Sequence, residues 1–261
     1  MYLIWHGTAS IEIGHSGGRL LFDPFVPLSG SPVPVTVEEF DGFTDVLVTH
    51  GHLDHIADIP QIVRRNPDTL VHCTETPYRT LAGKGVPEKN LSLLRYGDER
   101  DIRGFRIGVY HGKHAVLPKV SIRRLAYALR SPARRNLPHI LRENRACAEN
   151  DETVFYHILA DGKWLALMGS LNLRDDTQYP TGADLLVLPY NGWEDNYEPA
   201  VRVIERLKPK RVVLNHYDDT FPPLTMPMDL GAILAAYPGK AEALRLGEIT
   251  EVATPRHSGH G

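Results

Sequence analysis

Cysteine is nearly missing from this chain: Cys73 and Cys147 are the only two among 261 residues, and they do not form a CxxC pair. Two thiols cannot build a disulfide framework, so the chain reads as a reduced, intracellular protein whose cysteines act as small buried hydrophobes. Long apolar runs are missing too. Asp, Arg or Gly interrupts every hydrophobic stretch before it could span a bilayer, and the opening MYLIWHGTASIEIG has no basic start followed by an apolar core. A cytoplasmic protein with no membrane span is therefore expected. An excess of one charge is also lacking, since 29 Lys and Arg against 32 Asp and Glu leave a formal −3. That balance gives no global attraction to nucleic acid or to an anionic membrane.

What the chain does have is alternation between short apolar runs and helical patterns. Strands are expected at 2–5, 9–13 and 19–22, with the last running into Asp23-Pro24. Strand 45–49, a helix near 56–65, strand 69–74, a helix from Pro77 and strands near 91–95 and 105–111 follow. A hairpin turning at Asp161-Gly162 joins VFYHILA to WLALMG. Then come strand ADLLVLPY, a helix near 198–207, strand RVVLNHY and a last helix near 228–236. Sheet-rich runs interleaved with helices in both halves suggest two sheets packed face to face with helices outside, an α/β (α+β) sandwich.

One segment differs in composition. Residues 117–148 carry Lys119, Arg123, Arg124, Arg130, Arg134, Arg135, Arg142 and Arg145, with only Glu143 opposed to them. Such a run is either a charged helix face or a lid over an anionic substrate.

The chemistry concentrates where the strand VLVT ends. His50-Gly51-His52-Leu53-Asp54-His55 places three imidazoles and a carboxylate within six positions. A divalent metal needs several such donors converging from fixed positions, and one tight loop rarely supplies a whole shell. His50 and His52 can face one ion while Asp54 and His55 reach a second. The missing donors should come from other strand ends: His111 and His114 after RIGVY, and His216 in RVVLNHYDDTF.

His50, His52, Asp54 and His55 match the HxHxDH signature of the metallo-β-lactamase superfamily, and the similarity extends over most of the chain. FDPF at 22–25 resembles that family's strand-end aspartate, HGKH its third-histidine motif, and NHYDDTFP at 215–222 the closing motif of its ascorbate-6-phosphate-lactonase-like branch. The resemblance implies a single four-layer αββα domain over 1–261, with a helical lid inserted at about 117–150. It implies one metal on His50, His52 and His114, and a second on Asp54, His55 and His216. His111 then becomes a supporting or core histidine. Asp23 is expected to orient the ligand loops, with Asn191 and Tyr217 lining the pocket. The family's bridging Gly-Asp is replaced here by Gly169-Ser170, and Thr8 stands where the branch has a histidine. A hydroxyl is a poor bridge, so the second ion should bind more weakly unless Asp175 or Asp176 folds back to help.

The function expected from these residues is hydrolysis of an ester, lactone or phosphoester bond in a small, anionic metabolite by metal-activated water. Asp54, His55 and Ser170 are the candidate catalytic residues. One or two divalent ions are expected, zinc first, with manganese or iron as alternatives, and a homo-oligomer is compatible with the sequence. A phosphodiesterase acting on a nucleotide or phospholipid is one rival. A catalytically degenerate protein that binds a metal or metabolite is another, and no nucleic-acid-binding module supports a nucleic-acid partner.

Overall fold

The protein is described by a computed structural model covering residues 1–115, 126, 128–191, 196–225 and 227–252. Lys119, Arg123, Arg124 and Trp193 lie outside the described residues. In chain order the strands are Tyr2–Trp5 (β1), Ile11–His15 (β2), Gly18–Phe22 (β3), Asp45–Leu47 (β4), Leu70–Cys73 (β5), Leu91–Leu93 (β6) and Glu99–Ile102 (β7). They continue with Phe105–His111 (β8), Val154–Ala160 (β9), Lys163–Met168 (β10), Leu185–Pro189 (β11), Val212–Asn215 (β12), Ala241–Ala243 (β13) and Ile249–Glu251 (β14). The helices are Leu53–Ile56 (α1), Ile59–Arg65 (α2), Glu75–Gly83 (α3), Leu137–Ala146 (α4), Tyr197–Leu207 (α5) and Gly231–Ala236 (α6).

Period-two alternation sorts the strand residues into layers. On β3, Leu20 and Phe22 join the central core, whereas Leu21 faces the outer layer. The run after Thr44 does the same: Leu47 points to the centre, and Val46 and Val48 point outward. Two seven-stranded sheets result, in the orders β14-β1-β2-β3-β4-β5-β6 and β13-β12-β11-β10-β9-β8-β7. Ile11, Ile13, Phe105, Ile107, Tyr156, Ile158 and Val187 fill the space between them. Ile59, Ile62 and Leu81 from α2 and α3 cover one outer face, and Val203, Ile204 and Leu207 from α5 cover the other. This is the αββα sandwich.

In each sheet a parallel set carries the strands whose ends matter. β3, β4 and β5 run parallel in one sheet, and β10, β11 and β12 in the other. Sites form at the carboxyl ends of such strands, where loops converge. The two sheets also meet directly beneath the ligand loop, because the Tyr156 hydroxyl donates to the Val48 carbonyl at 2.6 Å.

Where it is described, the basic segment includes α4, and it is well tied down. The Asn136 amide donates to the carbonyls of Ser29 and Pro222, both at 2.8 Å. Lys84 pairs with Glu143 on α4, and Glu152 accepts from the Thr76 N–H and hydroxyl, each at 2.7 Å. Ile140 is buried against the outer layer. No helix among the described residues is long and apolar enough to cross a membrane.

Candidate metal centre

The ligand loop follows from how β4 ends. Pairing with β5 stops at Leu47, Val48 still donates to the His72 carbonyl at 2.9 Å, and the chain then turns away. His52 caps α1, which is one helical turn long, and its carbonyl accepts from the N–H groups of His55 and Ile56. That turn carries Asp54 and His55 to the same side as His50. Gly51 is required between the histidines: a Cβ there would sit 2.1 Å from the Ala148 carbonyl oxygen. The end of the basic segment thus presses on the loop that holds His50 and His52.

Two triads form at this edge. One donor atom each from His50, His52 and His114 lies within 4.8 Å of the others, and the same holds for Asp54, His55 and His216. His50 Nε2 and His52 Nδ1 are 3.1 Å apart, and the His114 ring lies 4.6 Å from that of His52. In the other triad, Asp54 Oδ2 is 3.1 Å from His216 Nε2 and 3.7 Å from His55 Nε2. The two sets are adjacent, with the rings of His50 and His55 centred 3.8 Å apart.

Behind the triads Asp23 acts as a hub. Its Oδ1 accepts from the Thr49 N–H at 2.8 Å, and its Oδ2 accepts from the Thr49 hydroxyl at 2.6 Å and lies 2.9 Å from His55 Nδ1. Fixing one ring nitrogen in this way directs the other toward the cavity. Thr49 extends the same network, with its hydroxyl 3.1 Å from His50 Nδ1. Asp23 and His216 both adopt positive φ, 46° and 60°. Side chains at such angles store backbone strain, which is a recurring feature of functional edges.

The protonation states suit a cation. Burial drives the His50 imidazole well below its ordinary range, helped by the neighbouring imidazoles of His55 and His52. Burial also pushes His52 down to about 4, although Asp54 opposes it, and lowers His114. Three neutral rings are therefore ready donors. Burial raises the Asp54 carboxyl, but His55 and His216 outweigh it and hold the group low, so it is ionised. For His55, burial is outweighed by the carboxylates of Asp23 and Asp54, and the ring is pushed up. Three neutral imidazoles in one triad, and an ionised carboxylate with two further imidazoles in the adjacent one, are donor types that fit one or two borderline divalent ions such as zinc.

The cavity beside the triads has a volume of about 170 Å³ and includes Ser170 and Asn191 in its lining. Ser170 is not idle: its hydroxyl accepts from the Ala115 N–H at 3.0 Å, and the Asn172 amide donates to the His114 carbonyl at 3.3 Å. The serine that replaces the expected aspartate thus holds the segment that carries His114. Neither nearby acid compensates. Asp175 is fully exposed, 3.8 Å from Arg206, and Asp176 pairs with Arg174 at 3.0 Å.

Tyr217, expected in the pocket, faces elsewhere, and His111 lies outside both triads. His111, the last residue of β8, stacks on Tyr96 with ring centroids 4.0 Å apart, and its Nε2 lies 2.7 Å from the Asp151 carbonyl. Tyr217 packs on Trp5 at 4.9 Å and donates its hydroxyl to Leu244. Tyr217 directly follows His216 and His111 precedes His114 by three positions, yet neither side chain joins a triad. Several lining residues carried no sequence signal: Ile140 and Asn144 on α4, and Leu224 and Thr225 after His216.

Fold and site together define a class. A family model described as the beta-lactamase superfamily domain matches residues 18–217, and the chain belongs to that superfamily. Among curated relatives, a metal-dependent hydrolase of Caldivirga maquilingensis is 26% identical over 227 residues, covering 85% of this chain and 83% of its own. Among solved structures, an isothiocyanate hydrolase from Delia radicum gut bacteria superposes with a TM-score of 0.64 at 18% identity, covering 97% of this chain and all of that one (100%). A metallo hydrolase from Ignicoccus hospitalis gives 0.60 at 20% identity, covering 95% and 97%. These two share the fold.

Proposed function

We propose that the protein is a metal-dependent hydrolase of a small molecule. One observation carries this reading: two triads of metal-type donors, drawn from the ends of strands in both sheets, open on one cavity. His50, His52 and His114 would hold one ion, and Asp54, His55 and His216 a second. A divalent ion at such a site supplies Lewis acidity, which activates water near neutral pH and polarises the bond to be cut.

The chain's own residues do the rest. Asp54 is ionised and buried among imidazoles, so its carboxylate would help hold an ion and orient a water in the cavity by accepting a hydrogen bond. Asp23 and Thr49 keep His50 and His55 in fixed orientations. The inserted segment, in this reading, closes the cavity through Ile140 on α4 and shields it from bulk water. Ester, lactone and phosphoester bonds are all candidates, the lactone by resemblance to the ascorbate-6-phosphate-lactonase-like branch.

Protein purified without chelator should carry at least one tightly held transition metal per chain, measured by elemental analysis. It should turn over a member of an ester, lactone and phosphodiester panel, and His52→Ala should reduce that turnover by at least 100-fold. Metal-free protein that cannot be loaded would sink the proposal. Ser170 favours a second reading, a binder without turnover, because it withholds a bridging carboxylate. Ser170→Asp should raise the metal content toward two ions per chain, and an unchanged stoichiometry would show that the serine does not limit the second ion.

A further inference from the structure

The cavity wall says more about the substrate than the triads do. Beyond the six donors, its apolar surface comes from Leu53, Ile140, Pro189, Phe221 and Leu224. The Thr225 hydroxyl is engaged in both directions, donating to Asp219 at 2.6 Å and accepting from the Phe221 N–H at 3.1 Å, and the Ser170 hydroxyl accepts from the Ala115 N–H at 3.0 Å. The remaining polar groups are neutral: the Ser170 O–H and the amides of Asn144 and Asn191. No lysine or arginine lines the cavity among the described residues.

The basic segment does not alter this where it is described. Arg130, Arg134, Arg135, Arg142 and Arg145 are all exposed. Arg135 donates to the Ser29 hydroxyl at 2.5 Å, and Arg142 is engaged with Glu143 and His139. These guanidinium groups lie along the outside of the lid.

We propose that the part of the substrate that does not react is small, uncharged and mainly apolar, as in a compact neutral ester or lactone. The proposal rests on the hydrolase reading for its chemistry. A carboxylate or phosphate tail held away from the triads would lose its hydration with no lysine or arginine among the described lining residues to replace the lost water, a cost that binding must overcome. An alkyl or aryl group meets five apolar side chains. Size is compatible: an apolar cavity of about 150 Å³ accommodates a benzene ring, and this one offers about 170 Å³, part of it walled by the six donors. Asn144 and Asn191 would orient a carbonyl or ring oxygen by neutral hydrogen bonds.

The test uses two hydroxamates that anchor at the metal centre through the same group and differ in their tails. Butyrohydroxamate ends in a methyl group, and succinic acid monohydroxamate ends in a carboxylate. Calorimetric titration of the zinc-loaded full chain should give a Kd at least tenfold lower for the butyryl compound. Leu224→Arg should shrink that ratio below threefold or reverse it. Equal affinity for the two compounds in the unaltered protein, or preference for the carboxylate, would overturn the proposal. Turnover is measured separately on phenyl butyrate and phenyl hemisuccinate. Preferential butyryl binding without turnover of either ester leaves the ligand class standing and removes the hydrolase reading. Turnover with equal binding does the reverse. Absence of binding by both removes both.

Discussion

Asp23→Ala lowers the stability of the metal-stripped protein by about 3–5 kcal/mol in urea unfolding, the loss typical of breaking a buried charged network from one side. The carboxylate is 1% exposed and accepts two hydrogen bonds from Thr49 while lying against His55. Its removal leaves the Thr49 N–H and the His55 Nδ1 side without their partner in a site closed to water. Metal affinity should fall as well, by roughly 10- to 100-fold, because the ring of His55 is no longer held. Competition with a chromogenic chelator measures that change. Asp23→Asn separates the two effects: one oxygen can still accept from the Thr49 N–H, so less stability is lost, while the contact to His55 changes from carboxylate to amide. A loss under 1 kcal/mol for Asp23→Ala would show that the hub is not structural.

The second large effect is a loss of stability in mild acid when no metal is bound. His50, His52 and His114 all have folded values below the ordinary imidazole range. Between about pH 6.5, where these rings titrate in the unfolded chain, and about 4, where His52 takes up its proton when folded, the unfolded state binds more protons. Stability from these groups is present above pH 6.5 and drains away as pH falls through that window. His55 works in the opposite sense, since its folded value is raised and its contribution is kept below pH 6.5. Within the site three lowered rings outnumber one raised ring, while the Asp58 carboxyl outside it, raised to about 6 by burial, opposes them. Melting of chelator-treated protein should therefore shift downward steadily from pH 7 to pH 4, and a flat Tm over that range would contradict the assignment. His50→Gln/His52→Gln should flatten the slope.

Much of this was legible before any coordinates. HGHLDH announced a site because imidazoles and a carboxylate directly after an apolar run have few structural uses, and the distant His114 and His216 followed apolar strands of their own. The long buried strands were legible for the same reason. β7, β13 and β14 were not, since Glu99–Ile102 is largely charged and the other two span three partly exposed residues each. Their pairing comes from neighbours in the sheet and leaves no mark in local hydrophobicity. Tyr217 shows the opposite failure: adjacency to His216 in sequence suggested a place in the pocket, but neighbouring side chains at a strand end alternate in direction, and this one packs on Trp5 instead. Thr49, which ties Asp23 to His50, passed as a strand residue because its role depends on a carboxylate 26 positions away.

Each triad takes two members from one short loop and its third from the opposite sheet. The Asp54 to His216 contact spans 162 positions, and Asn172, which touches the His114 segment, is 58 positions beyond His114. Two of the three members of each triad therefore lie in the first sheet's loop, yet neither triad is complete unless the second sheet is docked. An ion held by either triad would require both sheets in place. An ion that joins both halves acts as a removable cross-link across a long loop, where holding the ends together carries its greatest entropic value. Release of the ion would then be the step that permits the two sheets to part.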